Sequence, residues 1–281
     1  MKLSSYHKKV SRPGVLFSAK DTCGALSVEV LAGRGEFRVH GGPVMVLVIK
    51  GDGLVAGEAL GAEDLLYLPA GTDCECGYHV RGKALLARFA PLARGSEGLR
   101  GAAVIRKGEA LGYVRTQYRG NMHGWGPAVA GFNPRGIVYT DKLWGASRDV
   151  LCQELAMPPG HVIPVHVHGA LGRLPSADDF WQAYYVWAGS ARVDIGRSLR
   201  EVASIRIGPG SVLVYPNGVA HNVVAGPAGC RYIFFERRGA ATAGNLSLDD
   251  EKDYERRLSL RLGMTLEDFL RSELARAKSG K

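Results

Sequence analysis

Apolar residues recur in short runs along two stretches of the chain, and glycine and proline separate the runs. β-Branched and aromatic residues dominate these runs, which favours strands over helices, and the intervening glycines and prolines predict tight turns. The runs in residues 15–91 are LSVEVL, GEFRVH, VMVLVIKG, DLLYLPAG and ALLARFAP; those in residues 149–237 are DVLCQEL, IPVHVH, WQAYYVWAG, SVLVYPNG and RYIFFERR. The pattern predicts an all-β protein.

The two strand-rich stretches match each other as copies of one unit. Residues 48–51 (VIKG) match residues 186–189 (VWAG), and the spacing Gly-x7-Pro-x-Gly that begins at Gly61 recurs from Gly208 without a gap. The residue three positions beyond this motif is Cys74 in the first copy and His221 in the second. This agreement across two turns and a strand indicates a duplicated unit of about 80–90 residues.

The repeat divides the chain into four predicted parts. Residues 1–91 form a first barrel, residues 92–148 a glycine-rich segment between barrels, residues 149–238 a second barrel and residues 239–281 a helical tail. In the tail, Thr265 is the predicted N-cap of a helix and Asp268 follows three residues later. An apolar stripe is expected to pack on a barrel or across a dimer interface; it consists of Leu266, Phe269, Leu270 and Leu274.

Three histidines of the second copy are candidates for one metal site. His166 and His168 are two residues apart in a predicted strand, so both imidazoles point to the same face. His221 follows a Pro-x-Gly turn at the start of another strand, and Gln182 begins a third. Imidazoles that converge in this way are suitable ligands for a divalent transition metal.

These residues resemble the two signature motifs of the cupin superfamily. The matching patterns are Gly160-x5-His166-x-His168, Gln182-x6-Gly189 and Gly210-x5-Pro216-x-Gly218-x2-His221. The resemblance implies two tandem cupin barrels, also called double-stranded β-helices or jelly rolls. It further implies metal ligation by His166, His168, His221 and the residue at position 182. The sequence departs from the family pattern in having Gln182 for the usual glutamate, Ala225 for a common asparagine, and a long gap between His168 and Gln182.

The first copy lacks these ligands. The aligned positions hold Arg38, His40, Val44 and Cys74, and neither an arginine, which stays protonated, nor a valine can ligate a metal. Arg38 is expected to reach solvent or to pair with a carboxylate such as Glu36 or Glu63. We therefore expect one divalent metal ion per chain (Zn, Mn, Fe or Ni) and a structural role for the first barrel.

A closer resemblance is to the bicupin 5-deoxy-glucuronate isomerases and related uronate isomerases. It rests on the long insertion after His168, the Tyr184–Tyr185 pair, the degenerate first barrel and the segment VRTQYRGNMHGW. The sequence differs in having Trp181-Gln182 where those proteins carry two glutamates, and Gly169 where they carry an acidic residue. The resemblance implies a metal-dependent isomerase of a small sugar or sugar acid.

Proton transfer in such an isomerase needs an acid or base beside the metal. Tyr184 is a candidate because it shares the inward face of Gln182, and Glu154 and Glu236 are candidates on flanking strands. The insertion 169–180, with Asp178 and Asp179, is expected to cover the pocket as a lid. Two alternatives remain open: an Fe(II) dioxygenase with three neutral imidazoles, and a non-catalytic protein in which the metal shapes a ligand pocket.

Composition and charge add expectations about partners. The 281 residues carry a net charge of +9, but the basic residues are dispersed, so a solvated basic surface is preferred to a nucleic-acid partner, and an anionic small substrate is the alternative. The lone C-x-C of Cys74 and Cys76 has no second pair to complete a zinc site. No apolar run approaches the roughly 20 residues of a membrane span. We expect a cytoplasmic homodimer that binds a small molecule and no membrane.

Overall fold

The computed structural model describes residues 3–91, 102–106, 150–157, 159–167, 171, 181–216, 218–237 and 264–279. Within this part of the chain, almost all regular structure is β-strand, and the strands form two antiparallel sheets of seven strands each.

The first sheet contains residues of the first repeat. Its strands are β2 (Gly14–Phe17), β3 (Leu26–Val39), β4 (Val44–Val55), β5 (Glu58–Gly61), β6 (Leu65–Leu68), β7 (Cys74–Phe89) and β8 (Ala103–Ile105). They are ordered β2-β3-β7-β4-β6-β8, and β5 pairs with β4. The predicted segment 92–148 therefore supplies one strand to this sheet; most of that segment lies outside the described residues.

The second sheet contains the strands of the second repeat and one strand from the start of the chain. Its members are β1 (His7–Lys9), β9 (Val150–Met157), β10 (Val162–His166), β11 (Trp181–Ser198), β12 (Glu201–Ile207), β13 (Ser211–Pro216) and β14 (Ala220–Arg237). They are ordered β1-β13-β11-β14-β10, with β12 on β11 and β9 on β14.

The two sheets share one pattern of strand pairing. In the first sheet, β4 pairs with β5, β6 and β7; in the second, β11 pairs in the same way with β12, β13 and β14. The glycines that end the matching motifs, Gly51 and Gly189, both have positive φ (79° and 70°). A Cβ at either position would lie about 2 Å from a carbonyl oxygen of the paired strand, which explains why both copies have glycine there. The predicted duplication of an all-β unit is confirmed.

The sheets pack face to face, and their central strands are buried on both sides. Along β4, the even-numbered residues 44–48 face the interior of the first barrel, while the odd-numbered residues 45–49 face an apolar core between the sheets. Along β11, Ala183 and Tyr185 face that same core, while Tyr184 and Val186 face the interior of the second barrel. Burial on both faces accounts for the continuous apolar runs of the sequence.

One ion pair adds a polar contact between the barrels. The guanidinium of Arg231 on β14 donates to both carboxylate oxygens of Glu63, which lies between β5 and β6 of the first sheet. The same guanidinium lies 5.5 Å from the ring centroid of Trp187, within range of a cation–π interaction.

The start of the chain belongs to the second sheet, which differs from the predicted assignment of residues 1–91 to the first barrel. His7, Lys8 and Lys9 of β1 pair with β13, and the His7 imidazole lies 3.1 Å from the Ser211 hydroxyl. Leu3 and Tyr6 are buried in the interior of the second barrel. Because β1 and its partner β13 lie far apart in the sequence, no local pattern indicates their pairing.

The tail ends in one helix, α1 (Leu266–Ser279). The backbone N–H of Asp268 donates to the hydroxyl of Thr265 (3.1 Å), so the predicted N-cap is present. Three residues of the predicted stripe are buried, namely Leu266, Phe269 and Leu270, while Leu274 is half-buried. They pack on Val165 of β10 and Ala220 of β14. Residues 239–263 of the tail lie outside the described part. Among the described residues, no helix is long and apolar enough to cross a bilayer.

Helix α1 should contribute measurably to the stability of the second barrel. Phe269 is fully buried, so Phe269→Ala is expected to lower the free energy of unfolding by about 3–5 kcal/mol. Glu267→Ala is the matched control, because Glu267 is exposed on the same helix and should leave the melting temperature unchanged. Denaturant unfolding of both variants measures the difference. Equal stability of the two variants would show that the helix is not docked in solution.

Candidate functional site

Two of the three predicted histidine ligands lie side by side inside the second barrel. His166, at the end of β10, is the strand partner of His221, at the start of β14. Their ring centroids are 4.1 Å apart and the rings are inclined by 58°. His221 is 0% exposed and His166 is 9% exposed, so the pair is removed from bulk solvent.

The proton of His221 is fixed by the turn that precedes β14. The Nδ1 atom of His221 lies 3.0 Å from the carbonyl oxygen of Val219. Because a carbonyl oxygen only accepts, Nδ1 must carry the proton, and Nε2 then bears the lone pair of the neutral ring. A metal-binding histidine normally donates its other N–H to such a carbonyl or to a carboxylate.

Gln182 faces the same interior from the start of β11. It is 3% exposed and pairs with Tyr215 of β13 and with Glu236 of β14. The hydroxyl of Tyr184 donates to the amide oxygen of Gln182 at 2.7 Å. The two side chains therefore share one face, as their spacing predicts, and the hydrogen bond fixes the orientation of the amide.

Aromatic rings connect the histidine pair to the glutamine. Tyr184 packs against Tyr215 and Tyr232 at 5.2 Å between centroids, and against Phe234 at 5.5 Å. Tyr215 in turn lies 4.3 Å from the ring of His221. Tyr215 and Tyr232 are not among the site residues predicted from the sequence. Their signal is the two-residue period: each lies two positions from an inward-facing residue, Leu213 and Phe234 respectively.

Several predicted site residues fall outside what the structure describes. His168 and nearly all of the predicted lid, including Asp178 and Asp179, lie outside the described residues. For Glu154 and Glu236 only the backbone is described: Glu154 pairs with Ile233, and Glu236 pairs with Gln182. Their roles, and that of His168, stay predictions. In the described part alone, no group of three or more histidine, cysteine, aspartate or glutamate side chains is positioned to hold a metal.

The first barrel differs at the aligned positions. Val44 is buried in an apolar interior, whereas the side chains of Arg38 and His40 are 70% and 76% exposed. Arg38 reaches solvent, which is one of the two expected outcomes, and it also pairs with a carboxylate, although not with Glu36 or Glu63. Its guanidinium pairs instead with Asp73 (3.1 Å), which β3–β7 pairing brings close, while Glu63 is held by Arg231.

Two cysteines also point into the first barrel. Cys74 and Cys76 lie on β7 with their sulfur atoms 3.4 Å apart. Burial, together with the adjacent Cys74 thiol, raises the pKa of Cys76 to about 11. On its own, Cys76 is therefore a protonated thiol near neutral pH and a poor nucleophile.

Comparison with known proteins identifies the fold. No protein-family model matches the chain, and no curated protein matches it significantly. Among solved structures, the oxalate decarboxylase of Lactobacillus farciminis, in its formate complex, has a TM-score of 0.50 at 14% identity and covers 86% of each chain. Salicylate 1,2-dioxygenase from Pseudaminobacter salicylatoxidans has a TM-score of 0.53 at 14% identity, covering 82% of this chain and 76% of that one. The protein Ylba from E. coli has a TM-score of 0.53 at 15% identity, covering 82% and 86%.

These similar structures have the cupin fold, and this chain has it too. More particularly, its fold is all-β with two cupin-like barrels in tandem, which pack against each other, and a short helix follows the second.

The hydrogen bond between Tyr184 and Gln182 should be energetically significant, because both groups lie in the barrel interior. A double-mutant cycle with Tyr184→Phe and Gln182→Met is expected to give a coupling free energy of about 0.5–1.5 kcal/mol, measured by denaturant unfolding. Both replacements retain approximate shape, so the cycle isolates the polar contact. Strictly additive effects would mean that the two side chains do not interact in solution.

Proposed function

We propose that the second barrel binds one divalent transition metal ion and that the protein is an isomerase of a small sugar or sugar acid. The proposed ligands are His166, His168 and His221, with Gln182 beside them. The observation that carries the proposal is the buried pair of adjacent imidazoles, one of which has its proton fixed on the nitrogen that faces the backbone.

The spacing of the two described imidazoles fits a shared metal ion. Two imidazoles bound at right angles by bonds of about 2.1 Å would have ring centroids roughly 4.5 Å apart. The observed centroid distance of 4.1 Å is close to that value. The fixed proton on Nδ1 of His221 leaves Nε2 as its donor atom, and all the donors are nitrogen or amide oxygen, a set typical of zinc, iron, nickel or manganese.

Gln182 supports this proposal in one of two roles. Its amide oxygen accepts one hydrogen bond from Tyr184 and has a second lone pair, so it can also ligate a metal. Alternatively, its amide N–H group donates to a substrate oxygen or a water. In both roles the Tyr184 hydroxyl orients the amide, and a neutral amide leaves the positive charge of the metal less compensated than a glutamate would.

The proposed reaction moves a proton between neighbouring carbons of the substrate. A bound metal would polarise the substrate carbonyl and acidify the adjacent C–H. The Tyr184 hydroxyl carries a transferable proton and bonds Gln182 directly, and we assign it proton transfer or positioning. Glu236 on β14 is the proposed base, because it pairs directly with Gln182. Glu154 on β9 pairs with Ile233, which is in register with Tyr185 on the face of β11 opposite to Gln182, so the register favours Glu236 over Glu154.

A cupin dioxygenase is the second candidate. It is favoured by one observation, namely that every proposed ligand is neutral, as in an iron site that takes a bidentate substrate and oxygen. The salicylate dioxygenase likeness is one of fold and does not by itself support this activity. The third candidate is a binding protein without catalytic activity, in which the metal only shapes a ligand pocket.

Metal content tests the ligand assignment. Protein purified anaerobically should contain about one divalent transition metal per chain, and His166→Ala and His221→Ala should each reduce it by at least tenfold. His40→Ala is the matched control, because His40 is an exposed histidine at an aligned position of the first barrel. Metal analysis by mass spectrometry gives the readout. Full metal content in His221→Ala would exclude the proposed centre.

Product analysis tests the reaction. Incubation with a panel of aldoses, ketoses and uronates in deuterated water should give an isomerised product with deuterium at the carbon that receives the proton, detected by NMR. Tyr184→Phe should lower kcat by about 10²–10⁴-fold with unchanged metal content. Tyr185→Phe, on the opposite face of β11, should have no such effect. Oxygen consumption with diphenols would instead support the dioxygenase, and a metal-loaded protein with neither activity would support a binding protein.

A further inference from the structure

The first barrel contains two soft donor atoms that converge. Cys74 and Cys76 are two residues apart on β7, so both side chains point to the barrel interior. Their sulfur atoms are 3.4 Å apart and neither is in a disulfide bond. Cys76 is buried and Cys74 is half-buried, which makes the pair sheltered on one side and accessible on the other.

The pair lies at the place where the second barrel has His221. Counting from the shared Pro-x-Gly turn, Cys74 corresponds to His221. The strand pairing gives a second count. Val55 lies four residues after Gly51 and pairs with Tyr78, and Val193 lies four residues after Gly189 and pairs with Val223. Two positions before these partners are Cys76 and His221. By either count, a thiol of the first barrel replaces an imidazole of the second.

A cavity gives access to the two thiols. Its volume is about 640 Å³, and both cysteines line it together with Leu68, Thr72 and Tyr78. The cavity provides an entry path to the sulfur atoms and room for an additional small ligand. A buried structural pair of cysteines would need neither.

We propose that Cys74 and Cys76 form a two-thiolate site for a soft monovalent cation of the Cu(I) class. Thiolates select Cu(I), whereas zinc requires four ligands. Among the described residues, no third histidine, cysteine, aspartate or glutamate completes a larger cluster. A two-coordinate ion with bonds of about 2.3 Å and a nearly linear S–Cu–S angle holds its sulfurs about 4.6 Å apart. The two sulfurs are 3.4 Å apart, so rotation of the cysteine side chains must separate them by about 1 Å on binding. Binding releases the two thiol protons and changes no oxidation state. The proposal is independent of the metal proposed for the second barrel.

Anaerobic transfer of Cu(I) tests the site. The full chain is titrated with Cu(I) as its bicinchoninate complex, whose colour is lost when the protein removes the ion. Wild-type protein should take up one more Cu(I) per chain than Cys74→Ser and than Cys76→Ala. X-ray absorption at the copper edge should report two sulfur neighbours in the wild type.

The controls separate this site from other thiols and from the second barrel. Cys23→Ser removes an exposed cysteine and should take up copper like the wild type. His221→Ala counts the second barrel separately, because any copper that this variant loses and Cys74→Ser retains belongs to the imidazole site. If Cys76→Ala fails to fold, as judged by circular dichroism, Cys74→Ser alone decides, since its side chain is half-buried. Equal uptake by wild type and Cys74→Ser, or formation of a Cys74–Cys76 disulfide without retained copper, would overturn the proposal.

Discussion

Face-to-face packing of the two sheets determines which side chains of each barrel can point inward. The apolar core between the sheets takes every second residue of β4 and β11, so the alternate residues must face a barrel interior. A shift of one residue in β11 would bring Gln182 into the apolar core and Ala183 into the site, at the cost of burying an unsatisfied amide. The inward orientation of the site residues is therefore a consequence of how the barrels are joined.

The same constraint requires the polar groups inside the second barrel to satisfy one another. Gln182 accepts from Tyr184, and His221 donates to the carbonyl of Val219. The first barrel has the same strand pairing but an apolar interior that ends in two thiols, which are less costly to bury than amides or imidazoles. The second barrel thus presents imidazole and amide donors, and the first barrel presents soft thiol donors. The two copies can differ in this way because the fold depends on its turns and strand register, whereas the inward-facing residues can vary.

The parts of the structure that follow from local pattern were predictable from the sequence. Alternating burial, the Pro-x-Gly turns and the spacing around Gly189 indicated the duplicated strands, and the two-residue period indicated that Tyr184 lies beside Gln182. Thr265 and its apolar stripe indicated the tail helix. The remaining features depend on contacts between residues far apart in sequence. The pairing of Arg38 with Asp73 depends on the β3–β7 register, and the packing of Tyr215 against both Tyr184 and His221 depends on how three strands meet. Neither contact has a signature within a short window of sequence.

The position of β1 has a consequence for the order in which the chain folds. His7 and Ser211 are 204 residues apart in sequence, yet their side chains are in contact in the second sheet. During synthesis, residues 3–9 leave the ribosome well before their partner strand β13 is made. Leu3 and Tyr6 must therefore remain without their final packing until the second barrel forms. Closing so long a loop is entropically costly and slow, which makes the docking of β1 a late step of folding. Until that step the edge of β13 stays unpaired, so the nascent protein is exposed to aggregation at the strand that carries Tyr215 of the candidate site.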